Sequence, residues 1–240
     1  MPYFTGSIAA VAQTDRQAYI DHLKATWPFF QRNGATRMVE SWGVDVPRGA
    51  VNDLWAAVDA RAGEAVVFGW LEWPDKATAD AAWQRVQADP KMADLEMPFD
   101  GSRMIFGGFA PVFADGTDHG AGYLQGFALA VPDKNREAYI KMAREAWTTE
   151  FLPRGSLGMV EAWGVDVPRG QKTDFYRATL AEDGEVPLFS WVAWPDKRTC
   201  DAATRAMEAS MAGQEMPPMP FDGRRMMWGG FEPVFDTDKA

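Results

Sequence analysis

Apolar positions along this chain change period in a fixed order, and they do so twice. Residues 3–11 and 123–131 are apolar runs of strand length. Gly6 and Gly126 stand at the same place in each run, and a glycine inside a strand marks a bulge or a neighbour packed against the backbone. A helical period follows, carried by Tyr19, Ile20, Leu23, Trp27 and Phe30 in the first copy and by Tyr139, Ile140, Ala143, Trp147 and Phe151 in the second. Thr14 with Gln17 three residues on reads as a capping box, Asp133 as the cap of the second copy, and Gly34 and Gly155 as the helix stops. Residues 38–46 predict a strand running into the turn Pro47-Arg48-Gly49, and residues 52–60 an extended passage. Residues 65–73 and 186–194 predict a strand covered on both faces, since their apolarity is nearly continuous. Trp73-Pro74-Asp75-Lys76 recurs unchanged at 194–197 and makes Asp75 and Asp196 the N-caps of a second helix, with Ala79, Ala82, Trp83 and Val86 on its buried face. A Phe-Asp-Gly turn then leads to a last strand that contains Gly107-Gly108, where the bulge reasoning applies again.

The repetition is also literal. The stretch 98–113, PFDGSRMIFGGFAPVF, returns 122 residues later as PFDGRRMMWGGFEPVF, and MVESWGVDVPRG at 38–49 returns at 159–170 with eleven of twelve positions identical. Each copy spells strand, helix, strand, strand, helix, strand, the order of a ferredoxin-like βαββαβ sandwich. Two helices cover one face of such a sheet and leave the other apolar and in need of a partner. The second copy supplies it, so an α+β fold is expected: domains 1–113 and 123–236, their sheets face to face, forming an intrachain pseudo-dimer. Residues 114–122, with Asp-Gly and Gly-Ala-Gly, read as a short flexible joint.

Charge narrows the partners. The net charge is −10 and the basic residues are scattered, so phosphate backbones and anionic membrane surfaces repel the chain, and neither a nucleic acid nor a membrane is expected as partner. No apolar run approaches the ~20 residues of a membrane span, and the first residues show no secretory signal. The single cysteine, Cys200, stands opposite Ala79 of the other copy, which excludes an intrachain disulfide and points to a reducing, cytoplasmic setting.

Residues present in both copies are the candidates for shared chemistry. Only two histidines occur; His22 corresponds to Met142 and His119 lies in the joint, so no repeated metal or haem ligand set exists, and neither a metal nor a cofactor is expected. Glu40 and Glu161 sit within apolar strands, where an unpaired charge is costly. Arg48 and Arg169 follow at the strand end, and Arg103 and Arg225 begin the last strand. A structural Glu–Arg pair is one reading; a carboxylate of shifted pKa acting as proton acceptor beside an oxyanion-binding Arg is the other. The tryptophan pairs Trp42/Trp163, Trp70/Trp191 and Trp73/Trp194 serve packing or line a flat apolar pocket. Trp42 shares a strand face with Glu40, as Trp70 does with Phe68. Glu72 becomes Ala193, Ala56 becomes Arg177 and Trp55 becomes Tyr176, so two pockets need not be equivalent.

The string MPFDGSRMIFGGF at 97–109, the MVE-to-DVP segment and the opening PYF with Gly6 closely resemble the YbaA-like family of uncharacterised proteins, a domain of unknown function in the dimeric α+β barrel superfamily. The resemblance covers nearly all of each copy and implies two such domains fused in one chain. Resemblance to the wider superfamily implies cofactor-free oxygenases, isomerases and cyclases acting on aromatic substrates, and haem enzymes. A protein binding a small apolar or aromatic molecule between each sheet and its helices is therefore expected. Glu40, Trp42, Arg48, Trp70 and Arg103 would line the first site, and Glu161, Trp163, Arg169, Trp191 and Arg225 the second. Were it an enzyme, Glu40 or Glu161 would be the base and Arg103 or Arg225 the oxyanion partner. The rival is a catalytically inert interaction or stress-associated protein whose apolar faces are used up in fold and assembly. Further association of the fused pair is open.

Overall fold

The computed structural model describes residues 1–93, 95–213 and 218–238. The first repeat supplies strands β1 (Tyr3–Ala12), β2 (Arg37–Asp45), β3 (Glu64–Trp73) and β4 (Ile105–Gly116), and the second β5 (Tyr123–Pro132), β6 (Gly158–Asp166), β7 (Glu185–Trp194) and β8 (Met227–Asp236). All are antiparallel to their neighbours, and together they close one barrel in the order β1-β3-β2-β8-β5-β7-β6-β4. The two repeats are thus sewn edge to edge as well as packed face to face, through β2 against β8 and β4 against β6.

Helices α1 (Arg16–Arg32), α3 (Lys76–Ala88), α5 (Arg136–Ala146) and α7 (Lys197–Met211) lie outside the barrel, with a short α4 (Pro90–Ala93) after α3. The Asp75 carboxylate accepts the Thr78 N–H at 2.8 Å and Asp196 the Thr199 N–H at 2.7 Å, so both predicted N-caps form. Gly34 and Gly155 end their helices with φ of 101° and 91°, the left-handed geometry expected of a helix stop.

Four local expectations differ. Thr14 and Asp133 make no helix cap: Thr14 lies within a 3₁₀ turn and Asp133 opens one, and Gln17 bonds Asp21 instead. Residues 52–60 are not extended, because Asp53 caps a one-turn helix α2 (Leu54–Ala57), as Asp174 caps α6 (Phe175–Ala178). β4 runs to Gly116, into the predicted joint, since Ala114 and Asp115 pair with Val160 and Met159. Helix α5 gives way to a π turn at Trp147–Phe151. The repeats are offset by 120 residues at Tyr19/Tyr139 and 121 at Phe30/Phe151, so one inserted residue is absorbed there by local widening of the helix.

The glycine expectation holds. A Cβ on Gly6 would lie 2.8 Å from the Phe189 ring and one on Gly126 2.7 Å from the Phe68 ring. The β4–β6 register slips between Gly108 and Phe109, which is the expected bulge.

Candidate functional site

Strand parity sorts the repeated residues into two layers. Even-numbered positions of β1 and β3 point into the barrel and odd-numbered ones toward the helices. The barrel axis is consequently filled by rings. Phe68 stacks on Phe189 with centroids 4.3 Å apart and 8° between planes, and Trp70 stacks on Trp191 at 4.1 Å. Phe109 and Phe231 flank them, and Leu54 of α2 and Phe175 of α6 close one end.

Glu40 and Trp42 occupy the other layer, beneath α1. Tyr19 donates its hydroxyl to Glu40 Oε2 at 2.8 Å and packs on Trp42, over which Arg16 lies. The carboxyl sits in a notch left by Gly69, where a Cβ would be 2.1 Å from Oε2. In the second repeat the position of Gly69 is Ser190, and its hydroxyl joins that of Tyr139 in donating to Glu161 Oε2. Burial pushes both carboxyls up to about 7, against the pull of these hydroxyls. Neither glutamate meets an arginine. Arg103 is buried against Glu64 at 2.6 Å, and Arg225 pairs with Glu185 at 2.7 Å. Arg48 is exposed over the Trp55 ring and Arg169 lies over Tyr176.

The ten sequence-derived positions therefore fall into separate places. Glu40 with Trp42, and Glu161 with Trp163, share a sheet–helix layer; Trp70 and Trp191 meet inside the barrel; the four arginines stand apart. The tyrosine partners were legible as repeated helix positions, although the helical period reads them as apolar.

A pH dependence follows from the two glutamates. Their folded pKa lies above the unfolded value of 4.5, so the protonated form is favoured in the fold. This stabilisation is full below about pH 4.5 and is lost as pH rises through about 7, on the order of 3 kcal/mol per group. Glu40→Gln/Glu161→Gln, which keeps an acceptor for the tyrosines, is expected to exceed the native chain in stability at about pH 8 and to lose that advantage at about pH 5. Urea midpoints measured at both pH values check this; parallel shifts would refute it.

The open end of the barrel holds groups that the repeat pattern did not single out. Arg37, buried at the start of β2, places Nε and Nη2 each 3.0 Å from the two oxygens of Asp236 on β8. Its Nη1 bonds Asp118 of the joint, and Asp238 lies 2.9 Å from Nε. Asp118 also accepts the Trp191 indole N–H at 2.9 Å, while the Trp70 indole N–H is buried without a partner among the described residues. Beside this cluster opens a cavity of about 240 Å³. Phe4 and Trp191 form its apolar wall, edge to face at 5.1 Å, and Glu72, Asp115, Asp118 and His119 stand around it. Burial, then the nearby Asp118, raises the Glu72 pKa. Trp191 is the one sequence-derived site residue that lines it.

A second cavity, about 520 Å³, lies at the opposite end near α2 and α6. Its cations are engaged: Lys172 bonds Ser102 at 2.7 Å, and Arg177 bonds the Gly170 carbonyl at 2.6 Å. Glu40 and Glu161 line neither cavity. A haem, which resemblance to the superfamily raises, does not fit these residues. Rings fill the barrel axis, His22 packs on Phe99, and His119 Nδ1 is held 2.6 Å from Asp238 at the small mouth cavity. Among the described residues no helix is long and apolar enough to cross a membrane.

Comparison with known proteins places this arrangement. The model of a family described as "Protein of unknown function (DUF1428)" matches residues 2–101 and again 122–223. The uncharacterized protein YbaA of Escherichia coli K12 is 44% identical over 114 residues, 47% of this chain and 97% of that protein, and the Shigella flexneri protein of the same name matches equally. Two solved structures share the fold over 98% of this chain. One is an anthrone oxidase-like protein, with TM-score 0.59, 10% identity and 92% of its own chain covered. The other is a putative monooxygenase from Lactobacillus acidophilus NCFM, with TM-score 0.51, 13% identity and 95% covered.

Proposed function

The chain belongs to the DUF1428 family of proteins of unknown function, whose domain it carries twice, and on that premise we propose that it binds a small apolar or aromatic molecule at the barrel mouth. The observation that carries this reading is the cavity of about 240 Å³ walled by Phe4 and Trp191. Its volume lies below the roughly 300–1,000 Å³ of pockets for drug-sized ligands, which suits a single ring with a short substituent. Each repeat is read as one ferredoxin-like unit, 1–113 and 123–236 joined by 114–122, making an intrachain pseudo-dimer. The orders β4-β1-β3-β2 and β8-β5-β7-β6 within the barrel support that division. The one cysteine, buried and free, is in keeping with a cytoplasmic setting.

A cofactor-free oxygenase or isomerase activity extends the reading and is in keeping with the names of two structures that share the fold. The groups open to a ligand for proton transfer are Glu72, Asp118 and His119 rather than Glu40 or Glu161. The stacked rings along the axis favour a second reading, a non-catalytic interaction or stress-associated protein, because they leave the interior below the mouth no room for a ligand.

Calorimetric titration with three single-ring probes, 2-phenylethanol, phenethylamine and 3-phenylpropionate, tests the site. At least one is expected to bind with Kd of about 1 mM or tighter, and Ala114→Leu, at the cavity wall, to weaken it at least tenfold. No binding by any probe, or binding indifferent to Ala114→Leu, overturns the proposal.

A further inference from the structure

Divergence between the repeats opens the mouth cavity. Arg37 of the first repeat corresponds to Gly158 of the second, and Asp236 of the second to Ala114 of the first. On one side the Arg37–Asp236 pair therefore fills the mouth; on the other, Gly158 and Ala114 leave it open, and both line the cavity. A side chain at Gly158 has no room, since its Cβ would lie 2.6 Å from the Thr117 backbone, so the chain itself cannot refill the space.

What surrounds the space is unbalanced in charge. Glu72, Asp115 and Asp118 line it, with Asp236 and Asp238 behind, and among the described residues the basic groups within reach are Arg37, already shared among three aspartates, and His119, paired with Asp238. The Glu72 carboxylate has no hydrogen-bond or ion-pair partner among the described residues, and it exists only here, its counterpart being Ala193. Opposite stand two ring faces and edges, Phe4 and Trp191, and an aromatic surface beside a free carboxylate is the chemistry that selects an organic cation.

We infer that the mouth cavity takes an organic ammonium ion on a single ring or short apolar body, its charge against Glu72 and its body on Phe4 and Trp191. The inference rests on the binding site proposed above and adds the charge of its ligand. An ammonium nitrogen beside Glu72 supplies the positive charge that Gly158 cannot, and the size of the space limits the apolar part to about one ring.

Calorimetry at about pH 8 and low salt with phenethylamine and its neutral counterpart 2-phenylethanol decides the matter. The amine is expected to bind at least tenfold more tightly, Glu72→Gln and Glu72→Ala to abolish that preference, and Glu137→Gln, an equal charge change on the exposed face of α5, to leave it intact. Glu72→Ala installs the residue that the second repeat carries naturally, so it guards against loss of fold. Equal binding of amine and alcohol, or a preference that survives both Glu72 variants, overturns the cation assignment while leaving the site itself in place. Failure of all three probes removes the site as well.

Discussion

Arg37→Ala is expected to lower stability by about 3–5 kcal/mol, because it strands acids in a place built for a cation. Arg37 and Asp236 are each 4% exposed at the side chain and meet through two parallel hydrogen bonds of 3.0 Å, the bidentate geometry in which guanidinium and carboxylate interact best. Removing the guanidinium takes from the buried Asp236 its bidentate cation and frees one oxygen of Asp118, whose other oxygen keeps the Trp191 N–H. The pair also spans 199 residues, joining β2 to β8 across one barrel seam. Urea denaturation checks the loss, and Arg37→Met/Asp236→Leu, which removes both charges, is expected to recover most of it. A loss below about 1 kcal/mol for Arg37→Ala would show that water reaches the cluster and screens it.

Phe68→Ala is expected to cost a comparable ~3–5 kcal/mol, through lost burial and an unfilled cavity at the centre of the barrel. Phe68 is fully buried, stacks on Phe189 and tilts 31° against Phe231, while Gly126 of the opposite repeat lies against its ring. The repeat symmetry requires Phe189→Ala to behave alike, since Phe189 lies against Gly6 in the same way. The double variant should fall short of additivity, with a coupling of about 0.5–1.5 kcal/mol for the stacked pair. Denaturation of the four proteins of this cycle tests it; strict additivity would mean that the two rings are supported separately.

The contrast between these two sites shows what the amino-acid order reveals. Period-two and helical patterns, repeated at an offset of 120 to 122 residues, give the strands, the main helices and the glycines under Phe68 and Phe189, because burial acts on neighbours close in sequence. The same parity rule correctly joins Glu40 to Trp42 and Phe68 to Trp70. It cannot say which face of a strand meets the helices when both faces are apolar, and so Trp70 could be grouped with Glu40 although the two lie on opposite sides of the sheet. The partner of Glu40 was misjudged for a different reason: the buried carboxyl, pushed up to about 7 by burial, meets a hydroxyl and not an arginine, and Tyr19 reads as one more apolar helix position. The Arg37 cluster joins an unduplicated arginine to acids in the joint and in β8, and nothing local marks such a meeting. Its trace lies in the differences between the copies: Glu72 for Ala193 marks the two pockets as unequal, while Arg37 for Gly158 is passed over by a search for shared residues.

Closure of the barrel through β2 and β8 has a kinetic consequence. Val39 pairs with Asp236, so this hydrogen-bonded seam cannot form until residue 236 has left the ribosome. Contacts of such long range are slow to form, and during synthesis the first four strands must wait with the outer edges of β2 and β4 unpaired and the Phe68 and Trp70 rings uncovered. Fusion in one chain shortens that wait, because the missing half follows on the same polypeptide and need not be found by diffusion.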